Sequence, residues 1–122
     1  MVTDLQESRS FYENVLSLST ERVGETSVTY DLDGSQLKVQ EDFDAETLDE
    51  YNLEPPAHHV RGDGAILVIQ HDTSIDGVAE HIVECIADTD GSIVLKPRSV
   101  PWGERMMLVR DPDGYVFEIR GK

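Results

Sequence analysis

The stretch "WGERMMLVRDPDGYVFEIRG" (102–121) decides how this chain is read. Two apolar runs flank a Pro-Asp-Gly turn, which is the signature of a β-hairpin. The odd member is Glu118, four residues past the turn glycine in an otherwise apolar strand. Three roles are open to it: a metal ligand, a polar group lining a binding cleft, or a solvated charge.

Working outward, the same form occurs earlier in the chain. "TSVTYDLDGSQLKVQ" (26–40) also reads strand, Asp-Gly turn, strand, and Asp33-Gly34 falls on Asp113-Gly114 at a shift of 80. Each hairpin follows a helix. In "DLQESRSFYENVL" (4–16), Asp4 and Glu7 have capping-box spacing, and Leu5, Phe11, Tyr12, Val15 and Leu16 share one helical face. In "SIDGVAEHIVECI" (74–86), Ile75, Val78, Ile82 and Ile86 do the same behind a Ser74 cap, at a shift of 70 from the first helix. The extra residues of the second copy sit around "KPRSVPWGER", which reads as a proline-rich loop. A strand at 64–72, "GAILVIQHD", precedes the second helix, and its counterpart in the first copy would fall almost wholly before Met1. The first copy is therefore expected to lack its opening strand or to have it upstream, leaving a sheet edge that invites pairing. The organisation is one α+β domain over 1–122: module one 1–40, an acidic, proline-broken linker 41–63 with room for a short helix, and module two 64–122.

Composition narrows the class. Acidic residues number 25 against 10 basic ones, for a net charge of −15, and only Lys38, Lys96 and Lys122 are lysines. Such a surface repels phosphate backbones and acidic bilayers, so nucleic-acid and membrane partners are disfavoured. The acids run along the whole chain, a pattern read as adaptation to high salt, where self-repulsion is screened. No apolar run is long enough to span a bilayer, the N-terminus has no secretory pattern, and the lone Cys85 has no disulfide partner within the chain. A cytoplasmic location is expected.

"VTDLQESRSFYENVLSL", "YDLDGSQLKV" and "KPRSVPWGERMMLVRDPDGYVFEI" together resemble the glyoxalase/bleomycin-resistance/extradiol-dioxygenase (vicinal oxygen chelate) superfamily. The resemblance implies two βαβββ modules curving a mixed sheet around a cleft, and frequent homodimerisation. It also implies, for the metal enzymes of the family, one ligand from the first and one from the last long strand of each module. There the metal acts as a Lewis acid on substrate oxygens.

On that scheme Glu118 holds a ligand position. Its counterpart at the same offset from the turn is Lys38, whose ammonium cannot ligate while protonated. The opening-strand position of module two falls at about Leu67, among equally apolar neighbours, and that of module one is absent. One oxygen donor does not hold a divalent ion, since even catalytic zinc usually keeps three protein ligands. No cofactor is therefore expected, with a divalent metal on Glu118 as the alternative. Strand alternation sets Val116, Glu118 and Arg120 on the cleft face, opposite Tyr115, Phe117 and Ile119, and Gln36, Lys38 and Gln40 opposite Leu37 and Val39. Lys38 and Glu118 are expected to approach each other, directly or through a bound polar molecule, in place of the metal; the alternative leaves both in solvent. Trp102 is a candidate aromatic platform and Arg105 a candidate anion anchor, against a structural role for both. The candidate ligand-binding set is Lys38, Gln40, Trp102, Arg105, Val116 and Glu118; catalytic residues are not assigned.

His58 and His59 read as loop residues, His71 as a member of a relocated metal site at most, and Cys85 as a buried thiol. Three functions stay open: a metal-free protein binding a small polar or aromatic molecule, a metal-dependent lyase, isomerase or dioxygenase, and a pseudo-enzyme subunit that pairs through its exposed edge.

Overall fold

The computed structural model describes residues 1–55, 61 and 65–122. Module two is a mixed sheet of four strands, β4 (Ile66–Gln70), β5 (Ser92–Ser99), β6 (Arg105–Arg110) and β7 (Val116–Gly121), in the order β4-β7-β6-β5. β4 runs parallel to β7 and the other pairs are antiparallel. Helix α3 (Asp76–Ile86) covers one face, burying Ile75, Ala79, Ile82 and Ile86 at helical spacing, and the Ser74 hydroxyl accepts the Asp76 N–H.

Module one repeats the plan with β1 (Ser19–Val23), β2 (Ser27–Asp31) and β3 (Gln36–Gln40) in an antiparallel sheet. Where β4 lies beside β7, module one has a single parallel bridge, Val2 to Glu41. Its bond has a direct counterpart. The Val2 N–H donates to the Gln40 carbonyl at 2.8 Å, and the His71 N–H donates to the Arg120 carbonyl at 2.8 Å, Gln40 and Arg120 being 80 positions apart. The Asp-Gly turns match too, with Gly34 at φ 108° and Gly114 at φ 100°, a region that glycine enters without steric cost.

Two elements differ from expectation. Residues 4–16 are not one α-helix: α1 (Leu5–Arg9), capped by Asp4, passes into a π-helical segment over Ser10–Val15. Its wider turn sends Phe11, Tyr12, Val15 and Leu16 into the core together. "KPRSVPWGER" is not all loop, because Lys96, Pro97, Arg98 and Ser99 belong to β5. β5 is an edge strand, where a residue without an N–H is tolerated, and its pairing with β6 shifts register beside Pro97.

One core cluster runs through both modules, with Tyr12 packed on Tyr30 and on Phe117 at 5.7 and 5.5 Å between ring centres. The linker supplies a short helix, α2 (Ala45–Glu50), and the buried Arg61, which bonds both Asp42 carboxylate oxygens and the Met1 carbonyl. His58 and His59 lie outside the described residues. A Cβ on Gly91 would stand 2.8 Å from the Phe11 ring and 2.9 Å from the Arg110 carbonyl oxygen. Gly91→Ala is therefore expected to cost about 1–3 kcal/mol in a urea melt, the usual penalty of overpacking.

Candidate functional site

The face of the second sheet turned away from α3 carries the site. In-register neighbours share a face, so three rows cross β4, β7 and β6: Ile66, Val116 and Arg110; Val68, Glu118 and Leu108; Gln70, Arg120 and Met106. The alternate residues Phe117, Ile119, Met107 and Val109 fill the core beneath. The middle of the floor is thus apolar, with Ile66 60% and Val68 45% exposed, Arg110 of β6 stands at one end and Gln70 of β4 at the other, and the paired charges lie on β7.

Glu118 and Arg120 form that charged centre. They are two apart on one strand, hence on one side, with the Arg120 Nε 3.6 Å from a Glu118 carboxylate oxygen. That is an ion-pair distance and too long for a hydrogen bond. The Arg120 Nε is shielded from solvent and has no hydrogen-bond partner. Both side chains stay partly open, 19% exposed for Glu118 and 31% for Arg120. A guanidinium and a carboxylate, both partly open and set among apolar side chains, can take a molecule carrying an anionic and a cationic or hydroxylic group.

The other candidates lie elsewhere. Val116 is one row from Glu118 on the same face. Lys38 lines a small cavity with Leu67 and Tyr115, and the Gln40 amide is engaged by Thr26 and the Glu41 carbonyl. The direct Lys38–Glu118 pair is absent among the described residues. The reason is strand order: β4 stands between β7 and the gap that β3 borders. Trp102 is 63% exposed in the turn between β5 and β6. Arg105 is on the opposite face, where its Nε donates to Asp76 on α3 at 3.0 Å. With Asp76, Glu80, Val83 and Pro97 it lines a groove of about 580 Å³ between α3 and β5. His71 follows β4 and His81 bonds the Asn14 carbonyl. Cys85 is half-buried with its Sγ 3.8 Å from the His81 Nδ1.

The donor set does not fit the family's metal. Glu118 has Arg120 as its charged neighbour, Val68 and Leu108 beside it in register, and Lys38 at the repeated position. No trio of His, Cys, Asp or Glu converges among the described residues. A guanidinium beside the one carboxylate opposes a dication instead of supplementing its ligands.

Beneath the site lies a polar pair that the periodicity did not single out. Tyr12 OH donates to the buried Asp111 carboxylate at 2.6 Å, and the other Asp111 oxygen accepts the Asp113 and Tyr115 N–H groups. Burial pushes the Asp111 carboxyl up from its ordinary range, against the pull of the Tyr12 bond, and burial likewise pushes the Tyr12 phenol up. The Asp-Pro-Asp-Gly turn pattern marks the Asp111 side chain as a turn former; the tyrosine partner, 99 residues away, has no local signal.

The fold has relatives of known family. The model of the Glyoxalase/Bleomycin resistance protein/Dioxygenase superfamily matches residues 1–119. The chain belongs to this superfamily. Solved structures agree on the fold. A glyoxalase-related enzyme from Fulvimarina pelagi superposes with a TM-score of 0.78 at 19% identity, covering 99% of this chain and 82% of its own. A glyoxalase/bleomycin resistance protein/dioxygenase family enzyme from Burkholderia phytofirmans PsJN gives 0.71 at 16% identity, covering 98% and 91%. TioX from Micromonospora sp. ML1 gives 0.66 at 18%, covering 99% and 90%. No curated protein matches the chain. At these identities the likeness speaks to fold, and the superfamily hosts many chemistries on one scaffold. Among the described residues no helix is long and apolar enough to cross a membrane.

Proposed function

We propose that this glyoxalase-superfamily chain binds a small polar or zwitterionic molecule, its body apolar or aromatic, on the open face of β4, β7 and β6, without the family's usual metal. The observation that carries the reading is the Glu118–Arg120 pair, 3.6 Å apart and partly open to solvent, set among the apolar side chains of Val116, Val68, Leu108 and Met106. A ligand oxygen that meets the open part of the Arg120 guanidinium makes a charge-assisted hydrogen bond there. Glu118 would then receive the ligand's cationic or hydroxylic group, and Val68, Leu108 and Met106 would cover its apolar body. Apolar area covered in this way contributes about 25 cal/mol per Å².

The test is affinity. From a panel of small aromatic acids, amines and zwitterions, a binder is selected and titrated against Glu118→Gln and Arg120→Met. Each variant is expected to lose about 10- to 100-fold in affinity, from the roughly 1.5–3 kcal/mol of a hydrogen bond to a charged group, with an unchanged urea midpoint. Elemental analysis of protein purified in high salt without chelator is expected to find no stoichiometric metal. Stoichiometric metal in the parent that is lost in Glu118→Gln would replace this reading with a metal enzyme whose ligands have been rebuilt around that carboxylate.

A further inference from the structure

The rows that cross the open face continue past β6. Ser92 of β5 pairs with Arg110, Leu95 with Leu108 and Arg98 with Met106, so each row gains a fourth member on the same face. The last row then reads Arg98, Met106, Arg120 and Gln70 across β5, β6, β7 and β4. Over all three rows the charges are Arg98, Arg110 and Arg120 against Glu118 alone, a net of +2 on one face of a chain at −15. Three of the ten basic residues thus stand on a face that holds one of the 25 acids. Further acids border the face along β4: Glu104 accepts from the Gln70 amide at 3.0 Å, and Asp31, Asp33 and Asp72 line the cavity beside Val68 and Gln70. Across the face, positive charge increases from β4 toward β5.

The three guanidiniums differ in what they hold. Arg120 is paired with Glu118, and Arg110 donates to the Gly114 carbonyl at 2.7 Å. The exposed Arg98 side chain has neither a hydrogen bond nor an ion pair with any described residue. Where acids outnumber bases 25 to 10, a cation left unmatched on the face of the site suits an anion from outside the chain. We infer, on the reading of the open face as the ligand site, that its ligand carries two anionic groups. Arg120 holds one and Arg98 the other, with the apolar body lying on Met106 between them. Met106 is one strand away from each arginine, and strands lie about 4.8 Å apart, so the two anchoring Cα atoms are roughly 10 Å apart. That span suits an elongated diacid on an apolar or aromatic core, and the Met106 thioether packs well on an aromatic ring. Each planar guanidinium can meet a carboxylate through two parallel bonds. The acids along β4 repel an anionic group from that side and leave β5 as its place.

The probes are a biphenyl with a carboxylate at each end and the same biphenyl with one, each titrated against the full chain. The diacid is expected to bind about fivefold more tightly, the gain from one further exposed ion pair, and added salt should narrow the gap. Arg98→Gln should lower the diacid's affinity by that factor and leave the monoacid's unchanged. Its urea midpoint should match the parent's, because the side chain has no partner to lose. Arg98→Lys should keep most of the advantage, and Arg110→Gln should leave it in place. Arg120→Met should weaken both probes. The inference is overturned if neither probe binds, if both bind the parent equally, if Arg98→Gln weakens both alike, or if the advantage is lost in Arg110→Gln instead. Equal binding that Arg120→Met weakens would overturn the diacid alone and leave the open face as the site. Binding that Arg120→Met does not weaken would overturn both.

Discussion

Arg61→Ala is expected to destabilise the fold by about 3–5 kcal/mol, the range for removing one member of a buried ion pair. The Arg61 side chain is 3% exposed and holds Asp42 through two bonds, with a carboxylate oxygen of the 3%-exposed Asp113 at 3.9 Å. The guanidinium also bonds the Met1 carbonyl, and Asp113 accepts the Thr3 N–H and hydroxyl. One cation thus ties the linker, the N-terminus and the β6–β7 turn together. Alanine leaves buried carboxylate oxygens without their counter-charge in a chain already at −15. A urea melt measures the loss. Arg61→Met, which restores the packing alone, should recover only a small part of it; full recovery would show that volume and not charge holds the linker down.

Tyr12→Phe should cost about 2–3 kcal/mol at neutral pH, the upper end for an unsatisfied buried acceptor because this one is charged. The sign of the pH dependence follows from Asp111. Burial holds its carboxyl above the ordinary range, so its stability contribution is fully present below the unfolded value and is lost as pH rises through the folded one. The Tyr12 hydroxyl opposes that rise, and removing it moves the folded value further up. The deficit of the variant is therefore largest at neutral pH and shrinks as pH falls toward the ordinary Asp range of about 4. Urea midpoints of both proteins across that interval give the result, and a deficit independent of pH would mean that Asp111 is not the group involved.

Much of the fold was legible, because it is written twice. The paired Asp-Gly turns, the apolar faces of 4–16 and 74–86, and the 64–72 strand all reappear as elements. Local rules failed where tertiary position decides. Pro97 reads as a loop residue, but an edge strand accepts it. Alternation correctly sets Glu118 on the face away from the core; it says nothing of lateral order. So it could not show that β4 stands between Glu118 and Lys38, or that Arg105 turns to Asp76 on the far side. Arg120 was visible as the neighbour two residues on, yet its unused Nε appears only once β4 and β6 close around β7.

The central claim is that a small molecule sits on the open face of β4, β7 and β6. Its most direct test is a map of amide chemical-shift changes when a binder from the small-molecule panel is added to the isotope-labelled chain. The account predicts changes concentrated at Val68, Leu108, Val116, Glu118 and Arg120, and lost in Arg120→Met. Changes centred instead on α3 and β5, around the groove that Arg105 lines, would contradict it.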